Sequence, residues 1–466
     1  MEILIGLDIG TTKLCAVAVD TAGALRAVEH AANDTRIPGD ADAAEQDASA
    51  ILMRAMELLT RLCARPELAG AQVQALGVTG QMHGVLLADA AGQPLSPLIT
   101  WQDGRGNRPI RAGGRSYVEE FAARVGAAAL ADCGCTPASG YGAVTLLRLQ
   151  EEGLLPAGAM ALTIQDLLVR TLCGTAVTDP TDAASWGIFD VRHGGQWLPD
   201  AATALGLPDG ILPAVMPTGS LAGHLLPALA AQTGLPDGLP VAVAIGDNQA
   251  SFLGSVPALG DTLLLNLGTG GQMSVPVGRY TTAPGLDTRP LLPNLWLLVG
   301  ASLCGGRAYQ VLERFFAAVG RELFGIDGDA ACYEAMNRLA AQAAADCGGL
   351  AASTRFAGTR LTPAQRGAVT GIDTTNLTPG NLTHAVIAGM VDELVEYFHL
   401  AQQAGARPTH LAASGNAVRQ NPVVRQEIER RLEMPLHIPA CQEEAAVGAA
   451  MVGGMAVGMP GIQHAG

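Results

Sequence analysis

The chain of 466 residues is 49% apolar and only 15% charged, a composition that builds buried cores and excludes an intrinsically disordered protein. Its net charge of −15 excludes a broad basic face for nucleic acid or an anionic membrane, so any phosphate site has to be local. A single core rarely grows past roughly 250–300 residues, which sets the expectation of two or more domains.

The N-terminus reads as a hairpin, with strand Ile3–Asp8, turn Gly10-Thr11-Thr12 and strand Cys15–Val19. Residues 43–64 follow helical spacing, and Val73–Val78 is a strand that stops at Thr79-Gly80. Residues 94–115, rich in Pro, Gly and Arg, read as ordered loop, with helices expected near 116–130, 143–152 and 163–172. Val241–Ile245 is an apolar strand ending at Gly246-Asp247, and the domain boundary is placed there, giving domains 1–245 and 246–466. The second half repeats the first, with strand Thr262–Leu267, turn Gly268-Thr269-Gly270-Gly271 and strand Gln272–Val275. Helices near 305–319, 329–345 and 382–403 follow, then strand Leu411–Ala413, helix 419–432, strand 435–438 and a last helix 443–457.

No run of 18 apolar residues predicts a membrane span, and the first residues, lacking a basic region, do not read as a secretory signal. Nine scattered cysteines, an odd number without paired CxxC motifs, predict reduced thiols and a cytoplasmic location.

Two glycine-rich turns at matched places carry the first chemical signal. Phosphate oxygens need close backbone approach and several N–H donors, which Gly permits and Thr supplements. Neither turn fits the Gly-Lys-Ser/Thr pattern of a P-loop, and each by itself is also an ordinary hairpin turn. Asp8 ends a buried apolar strand, where an unpaired carboxylate is costly unless a cation such as Mg²⁺ compensates it. Asp247 ends another strand, and it reads either as a helix N-cap or as a general base in phosphoryl transfer. Gln81, Met82 and His83, with Trp101, Asp103 and Arg105, offer polar groups beside one aromatic wall, as recognition of a polyol requires. The plainer alternative is a pair of surface loops with an Asp103–Arg105 salt bridge and a core histidine. Ser414-Gly415-Asn416, with Asn421-Pro422 behind it, is a small-residue turn that leaves room for a base or ribose, or a plain strand–helix connection.

Together these segments resemble the FGGY carbohydrate kinases over residues 3–457. The resemblance implies an α/β fold of two duplicated actin-like, ribonuclease H-like domains, the hexokinase/Hsp70/actin architecture, with a nucleotide cleft between them. It implies that Gly6–Thr12 is the first phosphate loop, Gly246–Gln249 the segment of the catalytic aspartate, and Leu267–Gly270 the second phosphate loop. Phe356–Arg360 resembles a further family segment, and Ala413–Asn421 and Glu443–Ala450 resemble the adenosine-side motif and the closing helix. Gly140–Thr145 and the stretch from Asp182 to Gly187, added to residues 81–105, are similar to the ketose-kinase branch and within it to sedoheptulokinases.

The expectations that follow are an ATP- and Mg²⁺-dependent kinase acting on the terminal hydroxyl of a ketose. Sedoheptulose is the favoured substrate and D-xylulose the alternative. Asp247 and Asp8 would be catalytic and hold the metal; Gln81, Met82, His83, Trp101, Asp103, Arg105 and Asp182 would bind sugar. Gly10, Thr11, Thr12, Lys13, Gly268, Thr269, Gly270, Gly306, Gly415, Asn416 and Asn421 would bind the nucleotide. No nucleic-acid or membrane partner is expected, and a homodimer is the assembly considered. Lys13, the only lysine, stands where the family has a small hydroxyl residue, and Cys15 where it has Lys or Arg. Residues 136–152 match the family's first signature poorly, and Gly6–Lys13 also resembles bacterial actin-like proteins, which keeps a nucleotide-binding assembly protein as a remote alternative.

Overall fold

In the computed structural model the apolar run at the N-terminus forms β1 (Glu2–Ile9), enclosed on both faces from Ile3 onward. Residues 1–326, 330–359, 362 and 364–459 are described. Arg360 and residue 329, which the sequence placed in a family segment and a helix, lie outside them.

β1 pairs antiparallel with β2 (Lys13–Asp20), which pairs antiparallel with β3 (Leu25–Ala32). On its other side β1 runs parallel to β4 (Gln72–Gly80). Beyond β4 lie β5 (Leu221–His224) and β6 (Pro240–Ala242), and the short β7 (Ile245–Gly246) continues alongside the end of β4. The second sheet repeats this plan. β8 (Thr262–Leu267) and β9 (Gly271–Val277) form the hairpin, extended by β10 (Asp287–Leu292) and β11 (Leu295–Ser302). β12 (His410–Ser414) runs parallel to β8, and β13 (Leu436–His437) parallel to β12. In each sheet an antiparallel hairpin lies beside parallel strands, β2-β1-β4-β6 in the first and β9-β8-β12-β13 in the second, and this shared plan establishes the duplicated actin-like α/β architecture that the sequence predicted; the hairpin is extended by one strand, β3, in the first sheet and by two, β11 and β10, in the second.

Alternation along the strands assigns the layers. Ile3, Ile5, Leu7 and Ile9 face helices α1 (Ala48–Cys63) and α5 (Ile164–Cys173), with α2 (Tyr117–Val125), α3 (Ala127–Cys133) and α4 (Gly142–Glu151) in the intervening segment. Leu4 of the first sheet and Leu264 and Ala412 of the second face a shared layer made by α7 (Asp247–Ser255) and the last helix, α13 (Glu444–Ala456); α6 is the short helix Pro180–Ala184. The outer face of the second sheet is covered by α8 (Gly305–Phe324), α10 (Pro379–Gln403) and α12 (Pro422–Leu432), with α9 (Ala330–Gln342) and α11 (Asn416–Gln420) between them in sequence.

The shared layer depends on two glycines that are register partners, Gly6 on β1 and Gly77 on β4. A Cβ at Gly6 would lie 1.8 Å from the Ala446 carbonyl oxygen, and one at Gly77 would lie 1.7 Å from that of Ala449. Any side chain there would push α13 off the sheet. That helix is apolar or small around its whole circumference, as burial on every side requires.

Three expected helices begin or break differently. Residues 43–64 open with the short strand Glu45–Gln46, and α1 starts only after Asp47, whose side chain accepts from Ala50 N–H. The helix expected at 116–130 is split at Gly126, where φ is +83°. The one expected at 419–432 is two helices, because Pro422 offers no N–H to continue α11 and instead opens α12. Among the described residues no helix is long and apolar enough to cross a membrane.

Candidate active site

Three strand ends meet at one point. The register places Asp8 beside Thr79, and Gly246 beside Gly80, so Asp8, Thr79-Gly80 and Gly246-Asp247 come from the adjacent C-termini of β1, β4 and β7. Functional groups of open α/β sheets collect at such ends. Hydrogen bonds hold the edge: Thr79 Oγ1 donates to Ile245 O at 2.6 Å, and Gly246 N–H donates to Thr181 Oγ1 at 2.8 Å.

Asp247 is the first helical residue of α7, and Gly246, not Asp247, occupies the cap position. It therefore lies in the first turn of that helix, where the helix dipole favours a negative charge. Burial pushes its pKa up to about 6, against the pull of the Asn248 N–H and the Arg289 guanidinium. Asp8 goes further, up to about 8, through burial first and then the charges of Asp247 and Glu443, with Lys13 opposing. The Asp8 Oδ1 atom is enclosed and has no hydrogen-bond partner. A buried, orphaned carboxylate oxygen beside a second carboxylate is the donor set of a hard divalent cation, so the residues present fit Mg²⁺.

Asp182 joins them from α6. It is fully enclosed, with Gln165 Nε2 donating to Oδ1 at 2.8 Å and also to Gly80 O at 3.3 Å, while Oδ2 has no partner. Burial, then the charges of Asp166 and Asp179, raise its pKa well above the usual carboxylate range. Asp179 caps α6 and accepts from Thr181 and Thr218.

The residues expected to bind sugar divide into two groups. Gln81, Met82 and His83 follow β4 directly. Gln81 belongs to a closed ring: Trp101 Nε1 donates to Thr11 Oγ1 (3.0 Å), Thr11 Oγ1 to Gln81 Oε1 (3.2 Å), Gln81 Nε2 to Gln46 Oε1 (2.8 Å), and Gln46 Nε2 to Thr11 O (2.8 Å). The ring ties the first glycine turn to the Gln81–Trp101 cluster. The Trp101 side chain keeps 48% of its surface exposed, presenting a wall. Met82 is buried against Gly246. His83 has φ +72°, a left-handed conformation held by Ser185: its N–H donates to Ser185 Oγ (3.1 Å), and Nδ1 meets Ser185 O (2.9 Å). The imidazole stacks on Tyr141 with centroids 4.3 Å apart. Nδ1 is thereby committed to Ser185.

Asp103 and Arg105 are used differently. Asp103 is 1% exposed and accepts from Ala44 N–H, Arg105 N–H and the Arg105 guanidinium, while Arg105 also bridges to Glu45 at 2.6 Å. This is the salt bridge of the plainer sequence alternative, and it clamps the Trp101 loop to the strand before α1.

On the nucleotide side, Gly10 N–H closes the first turn on Lys13 O (3.0 Å), and Asn33 braces it through Gly10 O and Thr12 O. Lys13 does not point into the turn. Its ammonium holds both Glu443 oxygens, at 2.8 and 3.0 Å. In the second lobe Gly306 N–H donates to Gly268 O (2.8 Å) and Arg307 N–H to Thr269 O (3.0 Å). Gly305 packs on Gly270, and Gly415, at φ +93°, packs on Leu267. Gly268, Thr269, Gly306, Asn416 and Asn421 line a single cavity of about 250 Å³, together with Tyr309, Tyr333 and Asn337. Asn337 Oδ1 accepts from Tyr309 OH (2.6 Å) and Asn421 Nδ2 (2.8 Å). A larger apolar cavity, about 460 Å³ between Phe189, Met216 and Trp296, contains none of the predicted residues.

Several residues escaped sequence reasoning. Gln46 and Gln165 had no motif around them. Tyr309, Tyr333 and Asn337 sit at helical positions indistinguishable from core or surface. Arg289 reaches the site from β10, held by Asp287 (3.0 Å) and donating to Asn248 Oδ1 (3.2 Å). Its strand, Asp287-Thr288-Arg289-Pro290-Leu291-Leu292, carries no motif that would have marked it.

Two duplicated lobes, each with a glycine turn, and buried carboxylates at the strand ends of the first fit the phosphotransferase class of this architecture. The FGGY family of carbohydrate kinases matches by its N-terminal domain over residues 3–254 and by its C-terminal domain over 263–457. The chain belongs to this family and is a carbohydrate kinase, which displaces the actin-like assembly reading of Gly6–Lys13. It is 29% identical to mouse sedoheptulokinase, with 97% of both chains covered. It is 28% identical to glycerol kinase of Bordetella parapertussis, over 98% of this chain and 89% of that one. The crystal structure of xylulose kinase from Rhodospirillum rubrum superimposes with a TM-score of 0.87 at 26% identity, covering 97% of this chain and 89% of the other.

Proposed function

We propose that this kinase transfers the γ-phosphoryl group of ATP to the terminal hydroxyl of a ketose, with sedoheptulose as substrate and sedoheptulose 7-phosphate as product. The observation that carries the reading is the place of Asp247 in the chain between Gly246, which packs against Met82, and Asn248, whose Nδ2 donates to Gln272 Oε1 just beyond the second glycine turn, with a carboxyl raised to about 6. A carboxylate with that basicity accepts a hydroxyl proton better than an exposed one and remains ionised at neutral pH.

In this reading the sugar stacks along Trp101, beside Gln81, Met82 and His83. Asp182, whose pKa burial raises, is the further polar group offered to the sugar. Asp103 and Arg105 fix the Trp101 loop. Asp247 takes the proton of the attacking hydroxyl. Gly10–Thr12 and Gly268–Gly270 offer backbone N–H groups to the phosphates, and the cavity of Tyr309, Tyr333, Asn337, Asn416 and Asn421 takes the adenosine. Asp8 and Asp247 would hold Mg²⁺, which supplies charge neutralisation for the phosphates when bound. Closing the lobes would exclude water that otherwise hydrolyses ATP. Nine free cysteines favour a reducing, cytoplasmic setting.

Sedoheptulose is preferred over xylulose because the Gln81–Arg105 and Asp182–Gly187 stretches resemble sedoheptulokinases, and the mouse relative carries that name. The xylulose kinase likeness supports the second reading. An ADP-release assay against ketoses, aldoses and polyols separates them. The highest kcat/KM is expected with sedoheptulose; a tenfold preference for xylulose, glycerol or an aldose would overturn the assignment.

A further inference from the structure

On β2 and β3, directly across the hairpin from Asp8, lies a cluster that the kinase reading leaves unused. Cys15 on β2 and His30 on β3 are direct cross-strand partners, so both side chains rise from the same face of the sheet. Glu443 immediately precedes α13, which the close packing at Gly6 and Gly77 brings down beside that face. The Cys15 sulfur, a His30 ring nitrogen and a Glu443 oxygen lie within 4.8 Å of one another. We propose that Cys15, His30 and Glu443 form a site for a thiophilic divalent cation of the zinc class, distinct from the hard-cation site at Asp8 and Asp247.

The donor set argues for that class. Thiolate and imidazole are the ligands that zinc prefers, whereas Mg²⁺ takes oxygen donors and retains water. Ligand atoms around a tetrahedral zinc stand roughly 3.5 Å apart, as metal–ligand bonds of about 2.0–2.3 Å require. Closing from 4.8 Å takes only small side-chain rotations. Three protein ligands leave a fourth position for water, and the half-exposed His30 and Lys13 side chains mark the way in.

The present arrangement already sets a cation, the Lys13 ammonium, on the Glu443 carboxylate. Glu443 receives the Lys13 ammonium at 2.8 Å, and the His30 Nε2 stands 3.6 Å away. In the metal-free protein the Cys15 thiol is protonated. On binding, its S–H bond breaks, a sulfur–metal bond forms, and the proton leaves to the solvent. The metal then carries one thiolate and one carboxylate, which balance its two positive charges, and Lys13 is released from Glu443. Metal and ammonium therefore compete for the same carboxylate.

The test is titration of the metal-freed full chain with Co²⁺, followed by absorption, and with Zn²⁺, followed by calorimetry. One tight equivalent is expected, with a thiolate-to-cobalt charge-transfer band in the near ultraviolet. His30→Gln, at an exposed position that the fold tolerates, should weaken this binding at least ~10-fold. Cys15→Ser should abolish the band. Lys13→Met should tighten the binding, because the competing ammonium is gone. Should Cys15→Ser fail to fold, His30→Gln and Lys13→Met decide the matter. Binding unchanged in His30→Gln, a band that persists in Cys15→Ser, or binding weakened in Lys13→Met would each overturn the proposal.

Discussion

Asp8→Asn should make the nucleotide-free protein more stable while abolishing its activity. In the folded state the Asp8 carboxyl rises from 3.8 to about 8, chiefly by burial and then by repulsion from Asp247 and Glu443. Between those values the unfolded chain has released the proton and the folded chain has not, so stability falls as pH rises through the interval. Full ionisation at pH 8 would cost about 5 kcal/mol at ~1.4 kcal/mol per pH step. Solvent at the open edge of the site reduces that to roughly 2–3 kcal/mol, and at pH 5 to about 1 kcal/mol. Asparagine keeps the shape and removes the charge. Thermal unfolding at pH 8 without ligands should therefore show the variant melting roughly 5 °C or more above the parent, at ~2–4 °C per kcal/mol. The gap should shrink at pH 5. Adding Mg²⁺ and ADP should reverse the order, because only the parent gains the cation. A variant less stable than the parent at pH 8, or a gap that does not change with pH, would refute the assignment of Asp8 as an uncompensated buried acid.

Three further outcomes are expected. His83→Ala should raise KM for the sugar by ~10-fold, the worth of one good hydrogen bond, and leave KM for ATP within about twofold; equal effects in steady-state kinetics would place His83 elsewhere. Tyr333→Ala at the adenosine cavity should do the reverse, raising KM for ATP by roughly 3–10-fold through lost aromatic contact. Gly77→Ala should destabilise the chain by more than ~3 kcal/mol in denaturant unfolding, because its Cβ would fall 1.7 Å from the Ala449 carbonyl oxygen and α13 cannot retreat without opening both lobes.

Some of this was legible in the residues themselves. Asp8 and Asp247 stand out because an acid closing an apolar strand needs a reason, and the repeated glycine hairpins signal duplication before any coordinates. The sequence reading of Lys13 as a phosphate ligand depended on proximity along the chain. Its actual partner, Glu443, is 430 residues away and reaches it only because two glycines let α13 lie flat on the sheet. The Gln46–Gln81–Thr11–Trp101 ring was hidden for the same reason, since hydrogen bonds between single side chains leave no periodic trace. Helix ends at Gly126 and Pro422 were readable from backbone chemistry, yet helical spacing continues across both and masks the breaks. The cavity proposed for adenosine was half visible: its glycine turns have a signature, whereas Tyr309 and Tyr333 look like any aromatic residue on a helix.

The central claim is that the Asp247 carboxylate removes the proton of the sugar hydroxyl. Its most direct test is the single-turnover rate of phosphoryl transfer in Asp247→Asn, with sugar affinity measured separately by calorimetry. Loss of about 10²–10⁴ in rate with sugar affinity kept within threefold is the expected result. A variant that retains more than about a tenth of the parent rate would contradict it.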